Sequence, residues 1–225
     1  DNAFNGCNEL CSINIPDSVK KIGKNAFSDC DALADTEGFV IVRNTLYKYI
    51  GKEKKITIPA NVTTIASNAF SGIKKLKALT IPASVTSVGL NAFIDCDYLN
   101  TIVFEDGDTP LPVKYQYASS AYWSPFYDSP LTSITLGREI EYVKEDGTKY
   151  TPGETNDGFF TSEESVGSLS VTLTDNVKTI SEFMFAGRPI QQLTIPGSVT
   201  FIGNNAFDDC TTLSRVTFES GSQDL

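Results

Sequence analysis

A 23-residue unit that recurs along the chain constrains the fold more than any other feature. Residues 76–98 (LKALTIPASVTSVGLNAFIDCDY) realign with residues 190–211 (IQQLTIPGSVTFIGNNAFDDCT) almost without a gap. Residues 10–30 fit the same pattern, L-x-x-I-x-I-P-x-S-V-x-x-I-G-x-N-A-F-x-x-C. A period of this size marks a stack of units, each unable to bury its apolar face alone and each covered by its neighbours.

The I-x-I element reads as a short strand. Its two apolar side chains point inward, the residues between and before them point outward, and the following proline, lacking an N–H, ends the ladder. The second residue of each I-x-I pair falls at Ile15, Ile58, Ile81, Phe104, Leu136, Leu173, Ile195 and Phe218, in steps of 43, 23, 23, 32, 37, 22 and 23 residues. Four of these steps are regular and three carry extra material. About eight rungs stacked about 4.8 Å apart give a parallel sheet along one face. The V-x-x-I-G-x-N-A-F-x-x-C segment returns the chain across the other face, with Gly23, Gly89 and Gly203 expected to supply backbone freedom at the corner.

The predicted architecture is therefore an α/β-type repeat solenoid, mostly β with short turns or helical turns, in a right-handed stack over residues 1–225. Irregular units fall at about 33–58 and 105–168. In the first, residues 38–50 (GFVIVRNTLYKYI) hold two alternating apolar runs around Asn44-Thr45 and predict an added β-hairpin. In the second, residues 144–164 are acidic and Gly-rich and predict an exposed loop. Neither end carries a polar cap, so the chain is expected to be an excerpt of a longer protein.

The phenylalanine of N-A-F recurs at Phe4, Phe27, Phe70, Phe93 and Phe207, with variant copies at Phe126 and Phe185. This spacing predicts an interior aromatic ladder. Cys7, Cys30, Cys96 and Cys210 each follow a repeat phenylalanine by three residues. Their recurrence is that of a small buried thiol at one rung position, a common place for free cysteine. Cys11 falls outside this series, beside the first strand.

Composition removes several function classes. The chain has no histidine, which excludes a histidine general base, a Ser-His-Asp triad and the usual zinc sets. A net charge of −10 argues against general affinity for nucleic acid or anionic membrane. There is no phosphate-binding glycine loop, nucleophile elbow or defensible pair of carboxylates, so no enzyme activity, cofactor or metal site is expected. Asp106 and Asp108 in EDGDT fit turn chemistry better than a calcium loop.

The repeats, with IP-x-S-V and NAF-x-x-C as their most specific parts, resemble the BspA-like class of leucine-rich repeats (LRR_5 type). The resemblance covers nearly the whole chain. It implies an exported or cell-surface setting in a host-associated bacterium, with the export signal outside this segment. It also implies a role in adhesion or protein binding, with host extracellular matrix or another surface protein as partner. The resemblance transfers no catalytic residue.

Two candidate binding regions follow from the residues themselves. The first is the outward side of the strands, including Lys54, Lys55, Thr57, Lys77, Thr80, Thr101, Thr135, Gln191, Gln192 and Arg215, where no outward strand position is Asp or Glu. Strand propensity alone, which favours Thr and disfavours Asp, produces part of that bias. The second is the aromatic-rich insertion containing Tyr115, Tyr117, Tyr122 and Trp123, whose rings suit stacking on a glycan or anchoring a protein. The competing reading there is a satellite core under a wide loop. A carbohydrate-binding module and a structural spacer are accordingly the alternatives to a protein-binding surface.

Overall fold

The computed structural model describes residues 1–115, 125–126, 129–150, 159–160 and 167–221. Its strands, in chain order, begin with β1 (Phe39–Val42), β2 (Thr45–Tyr49), β3 (Lys55–Thr57), β4 (Thr64–Ile65) and β5 (Ala78–Ile81). There follow β6 (Ser87–Val88), β7 (Thr101–Phe104), β8 (Leu111–Lys114), β9 (Ser133–Leu136) and β10 (Ile140–Val143). The remainder are β11 (Ser170–Leu173), β12 (Thr179–Ile180), β13 (Gln192–Ile195), β14 (Phe201–Ile202) and β15 (Arg215–Phe218).

The I-x-I strands form the expected parallel ladder, in the order β11-β9-β7-β5-β3, with β13 and β15 pairing separately. Strands β3, β5 and β13 end just before Pro59, Pro82 and Pro196 and β9 before Gly137, whereas β7, β11 and β15 end before Glu105, Thr174 and Glu219. The Pro carbonyl then accepts the N–H of the valine three residues on, as in Val85 to Pro82 at 3.1 Å and Val199 to Pro196 at 3.1 Å. That turn swings the valine inward, and Val62, Val85 and Val199 are all fully buried.

The structure departs from the sequence expectation in five places. The return side is not merely a run of turns: V-x-x-I closes as two-residue strands, and a second sheet runs β1-β2-β4-β6-β8-β10. The hairpin joins this second sheet through β2 and β4, with its tight turn at Arg43–Asn44, because Thr45 already pairs with Val42. Arg43 takes the turn's left-handed conformation, φ 55°.

The third departure is at the start, where residues around Ile13 and Ile15 form no strand among the described residues. Fourth, the long ladder breaks between β11 and β13, which share only the bridge Leu169–Ile190. Leu169, expected to point outward, is buried at that break. The break coincides with the 22-residue step. Fifth, Phe159 and Phe160, inside the segment expected to be an exposed loop, are fully buried.

Among the described residues, the interior holds two aromatic series, one in each of two apolar clusters. Phe4 stacks on Phe27 with centroids 5.1 Å apart, and a longer series runs Tyr49, Phe70, Phe93, Phe126, Phe160, Phe185 and Phe207 at 5.1–5.7 Å spacing. Tyr49 and Phe160 fill the rungs where the motif is degraded. Phe4 is 42% exposed because it has a neighbouring ring on one side only.

The fixed letters of the motif now have physical causes. The asparagine before A-F sits at positive φ in every described copy, at Asn2, Asn25, Asn68, Asn91 and Asn205 (φ 53–60°). Asparagine is among the few residues that tolerate this region. The residue before the cysteine slot makes a second left-handed corner, met by Asp29, Asp95 and Asp209 or by Gly6, Gly72 and Gly187. Gly23, Gly89 and Gly203 are needed for a different reason from the one expected. They do not adopt positive φ; a Cβ at Gly89 would lie 2.3 Å from the Ser67 backbone nitrogen of the adjacent rung, and Gly203 is equally crowded by Glu182.

Candidate functional site

The outer face of the long sheet is built by register. One outward row runs Thr57, Thr80, Val103, Thr135 and Thr172, and beside it runs Lys55, Ala78, Thr101, Ser133 and Ser170. On the separate pair, Gln192 lies level with Arg215 and Thr194 with Thr217. The opposite side chains of the same strands, such as Leu79, Ile102 and Ile134, are buried. The alternation therefore delivers a regular hydroxyl-rich surface with no carboxylate on it.

Lys54 and Lys77 are neighbours on successive rungs, since the Lys77 amide donates to the Lys54 carbonyl at 2.7 Å. Lys54, Lys55 and Lys77 are exposed, and among the described residues they make no ion pair. Among the described residues, four lysines elsewhere pair with carboxylates. Lys74 pairs with Asp97 at 2.6 Å, Lys149 with Glu141 at 2.6 Å, and Lys24 with Glu145. Lys48 bridges Asp29 and Asp31; partial burial pulls its pKa down, but hydrogen bonds to Asp31 and Asp29 outweigh that and raise it.

The cysteine slot is a hydrogen-bonding position. The Cys30 thiol donates to the Phe4 carbonyl at 3.0 Å, Cys96 to Phe70 at 3.1 Å and Cys210 to Phe185 at 3.1 Å. Ser129, in the same slot after Phe126, donates to Phe93 at 3.4 Å. Each donor caps the carbonyl of the ladder residue one rung earlier. Burial pushes the Cys96 pKa up to about 12, so the thiol stays protonated and inert. Cys7 and Cys11 are exposed free thiols.

The aromatic insertion divides. Tyr115 is buried, 3% exposed, edge-on to Tyr150 at 5.6 Å, and its carbonyl accepts the Tyr150 hydroxyl at 2.9 Å. It follows β8 directly, so strand alternation turns it into the interior and removes it from a ligand-facing set. Tyr117, Tyr122 and Trp123 lie outside the described residues. Asp106 accepts a hydrogen bond from the Thr174 hydroxyl at 2.7 Å, which ties its turn to the neighbouring rung.

Two buried arginines escaped the sequence reading. Arg138 is 1% exposed and donates to the Thr109, Ala83 and Val85 carbonyls at 2.8–3.0 Å, holding together the turns of three units. Its one sequence signal is R in place of the usual small residue after the strand-ending glycine. Arg188 occupies the cysteine slot after Phe185, donates to the Leu131 carbonyl at 2.7 Å, and is lowered to about pKa 10 by burial. It remains charged at neutral pH.

A long strand and a two-residue return strand per 23-residue turn, asparagine corners and a central aromatic ladder define a leucine-rich repeat solenoid. The BspA type leucine rich repeat region matches in six copies over residues 1–37, 40–145 and 156–225, and the chain belongs to that family. Proteins of this repeat class serve mainly in binding and scaffolding, not catalysis.

A leucine rich cell surface protein of Faecalibacterium prausnitzii A2-165 is similar, with 29% identity over 78% of this chain and 50% of that one, and a TM-score of 0.39. A leucine rich repeat protein of T. pallidum matches at 21% identity over 76% of this chain and 62% of that one (TM-score 0.41). One from Bacteroides ovatus matches at 17% identity over 84% of this chain and 51% of that one (TM-score 0.37). The chain thus spans about half the length of the first of these proteins. Comparison with curated proteins finds no match. Among the described residues, no helix is long and apolar enough to cross a membrane.

Proposed function

We propose that this chain is a protein-binding segment of a secreted or cell-surface protein, and that its partner, a host extracellular matrix protein or another surface protein, lies on the outer face of the long sheet. The observation that carries this reading is the carboxylate-free, hydroxyl-rich face with three unpaired lysines at one end, in a chain of net charge −10. A flat, rigid, regularly spaced surface suits a protein partner because its side chains are already ordered by the ladder, which lowers the entropic cost of association. The carbohydrate reading loses Tyr115 to the interior.

The test is capture from fractionated extracellular matrix and mucus on the immobilised chain. A partner retained by the wild type should be lost when Lys54, Lys55 and Lys77 are all replaced by Glu, and kept when the exposed Lys178 on the opposite side is replaced. Equal capture by both variants would move the site off this face.

A further inference from the structure

The long sheet begins at β3, and the outer edge of that strand is unpaired. The repeat spacing places the preceding rung near Asp35, 23 residues before Ile58. The chain instead makes a turn there. Gly38 donates its N–H to the Asp35 carbonyl at 3.1 Å, and the Asp35 carboxylate accepts the amides of Glu37 at 3.0 Å and Phe39 at 2.9 Å. The backbone then enters β1 and the other sheet. A cleft of about 640 Å³ lies between this turn and β3, with Phe39, Tyr49 and Ile56 among its apolar lining and Asp35, Glu37, Glu53, Lys52 and Lys55 as its charged lining. That volume is in the range of sites that enclose ligands.

Pairing with β5 uses the Lys54 carbonyl and the Ile58 amide. Peptide groups of alternate residues face opposite sides of a strand, so those of Lys55 and Thr57 face the cleft. Unpaired edge groups of this kind template another strand. The Tyr49 hydroxyl, fully buried in the cleft wall, has no hydrogen bond of normal geometry; burial raises its pKa, and the nearby Glu53 backbone offsets that only in part. The Asp35 carboxylate is committed to its own turn, while Lys54, Lys55 and neighbouring Lys77 are in no ion pair.

We propose that this cleft docks an extended segment of a partner protein, which adds to the long sheet as a strand parallel to β3, with an acidic side chain level with Lys55. Every pairing in this sheet is parallel, and the segment takes the place of the rung that the chain omits. A residue level with Ile56 is directed inward against Phe39 and Tyr49, so it is apolar. Strand addition of this kind draws affinity from main-chain bonds and selectivity from alternate side chains. The inference rests on the protein-binding reading but uses a sheet edge, not the flat face.

The probe is a fluorescent heptapeptide, Leu-Glu-Glu-Leu-Thr-Ile-Pro, which is residues 76–82 with Lys77 and Ala78 replaced by Glu, titrated by anisotropy. Saturable binding is expected, weakened about tenfold by Lys55→Glu and by Thr57→Pro. Thr57→Pro deletes an amide that faces the cleft and serves no β3–β5 bond, a placement that edge strands tolerate. Far-UV circular dichroism checks its fold. N-methylation of the peptide's second leucine, level with Ile56, makes the same cut on unaltered protein and should also cost at least about tenfold.

Absence of saturation up to about 1 mM peptide, or equal affinity for the N-methylated peptide, overturns the proposal. Thr135→Arg, on the flat face, should leave peptide affinity unchanged while abolishing matrix-protein capture. Failure of the face reading is thereby seen apart from failure of the edge.

Discussion

Replacing Phe93 by alanine should be among the most damaging single changes in the chain. Its ring is fully buried and is sandwiched by Phe70 at 5.6 Å and Phe126 at 5.1 Å, the latter nearly parallel at 4°. Phe-to-Ala truncation in a core costs about 3–5 kcal/mol, and each aromatic pair adds about 0.5–1.5 kcal/mol beyond area. With two pairs lost and rigid strands on both sides preventing collapse, the upper end, about 5 kcal/mol, is expected. For a chain of this size that corresponds to a fall in Tm of roughly 10–20 °C. Urea unfolding followed by far-UV circular dichroism is the assay, with Phe201→Ala, 58% exposed, as the matched control. Because each unit contacts only its neighbours, the transition should also broaden or split as the stack uncouples at Phe93. A loss under about 1 kcal/mol, or one equal to the Phe201→Ala loss, would refute the claim that the aromatic column holds the repeats together.

Other substitutions probe the remaining fixed positions. Asn91 sits at φ 55°, so Asn91→Ala should cost about 1–2 kcal/mol in urea unfolding while Asn91→Gly stays near wild type; equal costs would show that the side chain matters and not the conformation. Arg138→Met keeps the volume but strips donors from the Thr109, Ala83 and Val85 carbonyls, and a loss of about 3 kcal/mol is expected. An unchanged urea midpoint would mean that water replaces the guanidinium. With a thiol reagent at neutral pH, Cys7 and Cys11 should react quickly and Cys30 and Cys96 only as fast as the fold opens, so immediate labelling of Cys96 would contradict its burial. The pKa of Cys96, raised from 9.0 to about 12, has a consequence of definite sign. Between these values the unfolded thiol has lost its proton and the folded one has kept it, so its contribution to stability, complete below pH 9, falls as pH rises to 12. Cys96→Ser should flatten that alkaline decline relative to wild type, and an identical pH profile for the two proteins would refute the assignment.

The regular repeats were legible because their letters report geometry directly. I-x-I alternation, the strand-ending proline and the period of the phenylalanines are enough to place β5, β7, β9 and β13 and most of the aromatic column. The rest was hidden where different residues meet the same physical demand. Tyr49 and Phe160 occupy ladder positions without the N-A-F letters, Ser129 and Arg188 donate hydrogen bonds from the slot that cysteine usually fills, and Phe183 takes the left-handed corner that asparagine marks elsewhere. The second sheet was missed because two-residue strands such as Thr64–Ile65 have too little alternation to be recognised. At the candidate site, the outward row was readable from period two. The burial of Tyr115 was not, because it depends on where β8 ends.

The same local chemistry bears on how much the carboxylate-free face means. Aspartates collect at the corner after each ladder phenylalanine because that corner demands positive φ, as at Asp29, Asp95 and Asp209, and strands disfavour them. Folding requirements therefore push acidic residues off the sheet without any partner being involved. They do not explain the lysines. Lys24, Lys48 and Lys74 are held by carboxylates from other parts of the stack and Lys149 by Glu141 of its own unit, whereas Lys54, Lys55 and Lys77 make no ion pair among the described residues and are clustered on adjacent rungs. A cluster of like charges on adjacent rungs is mildly repulsive in the free protein, so its relief by an acidic partner favours binding. The three lysines, more than the missing acids, are what point to an interface there, beside the open edge of β3.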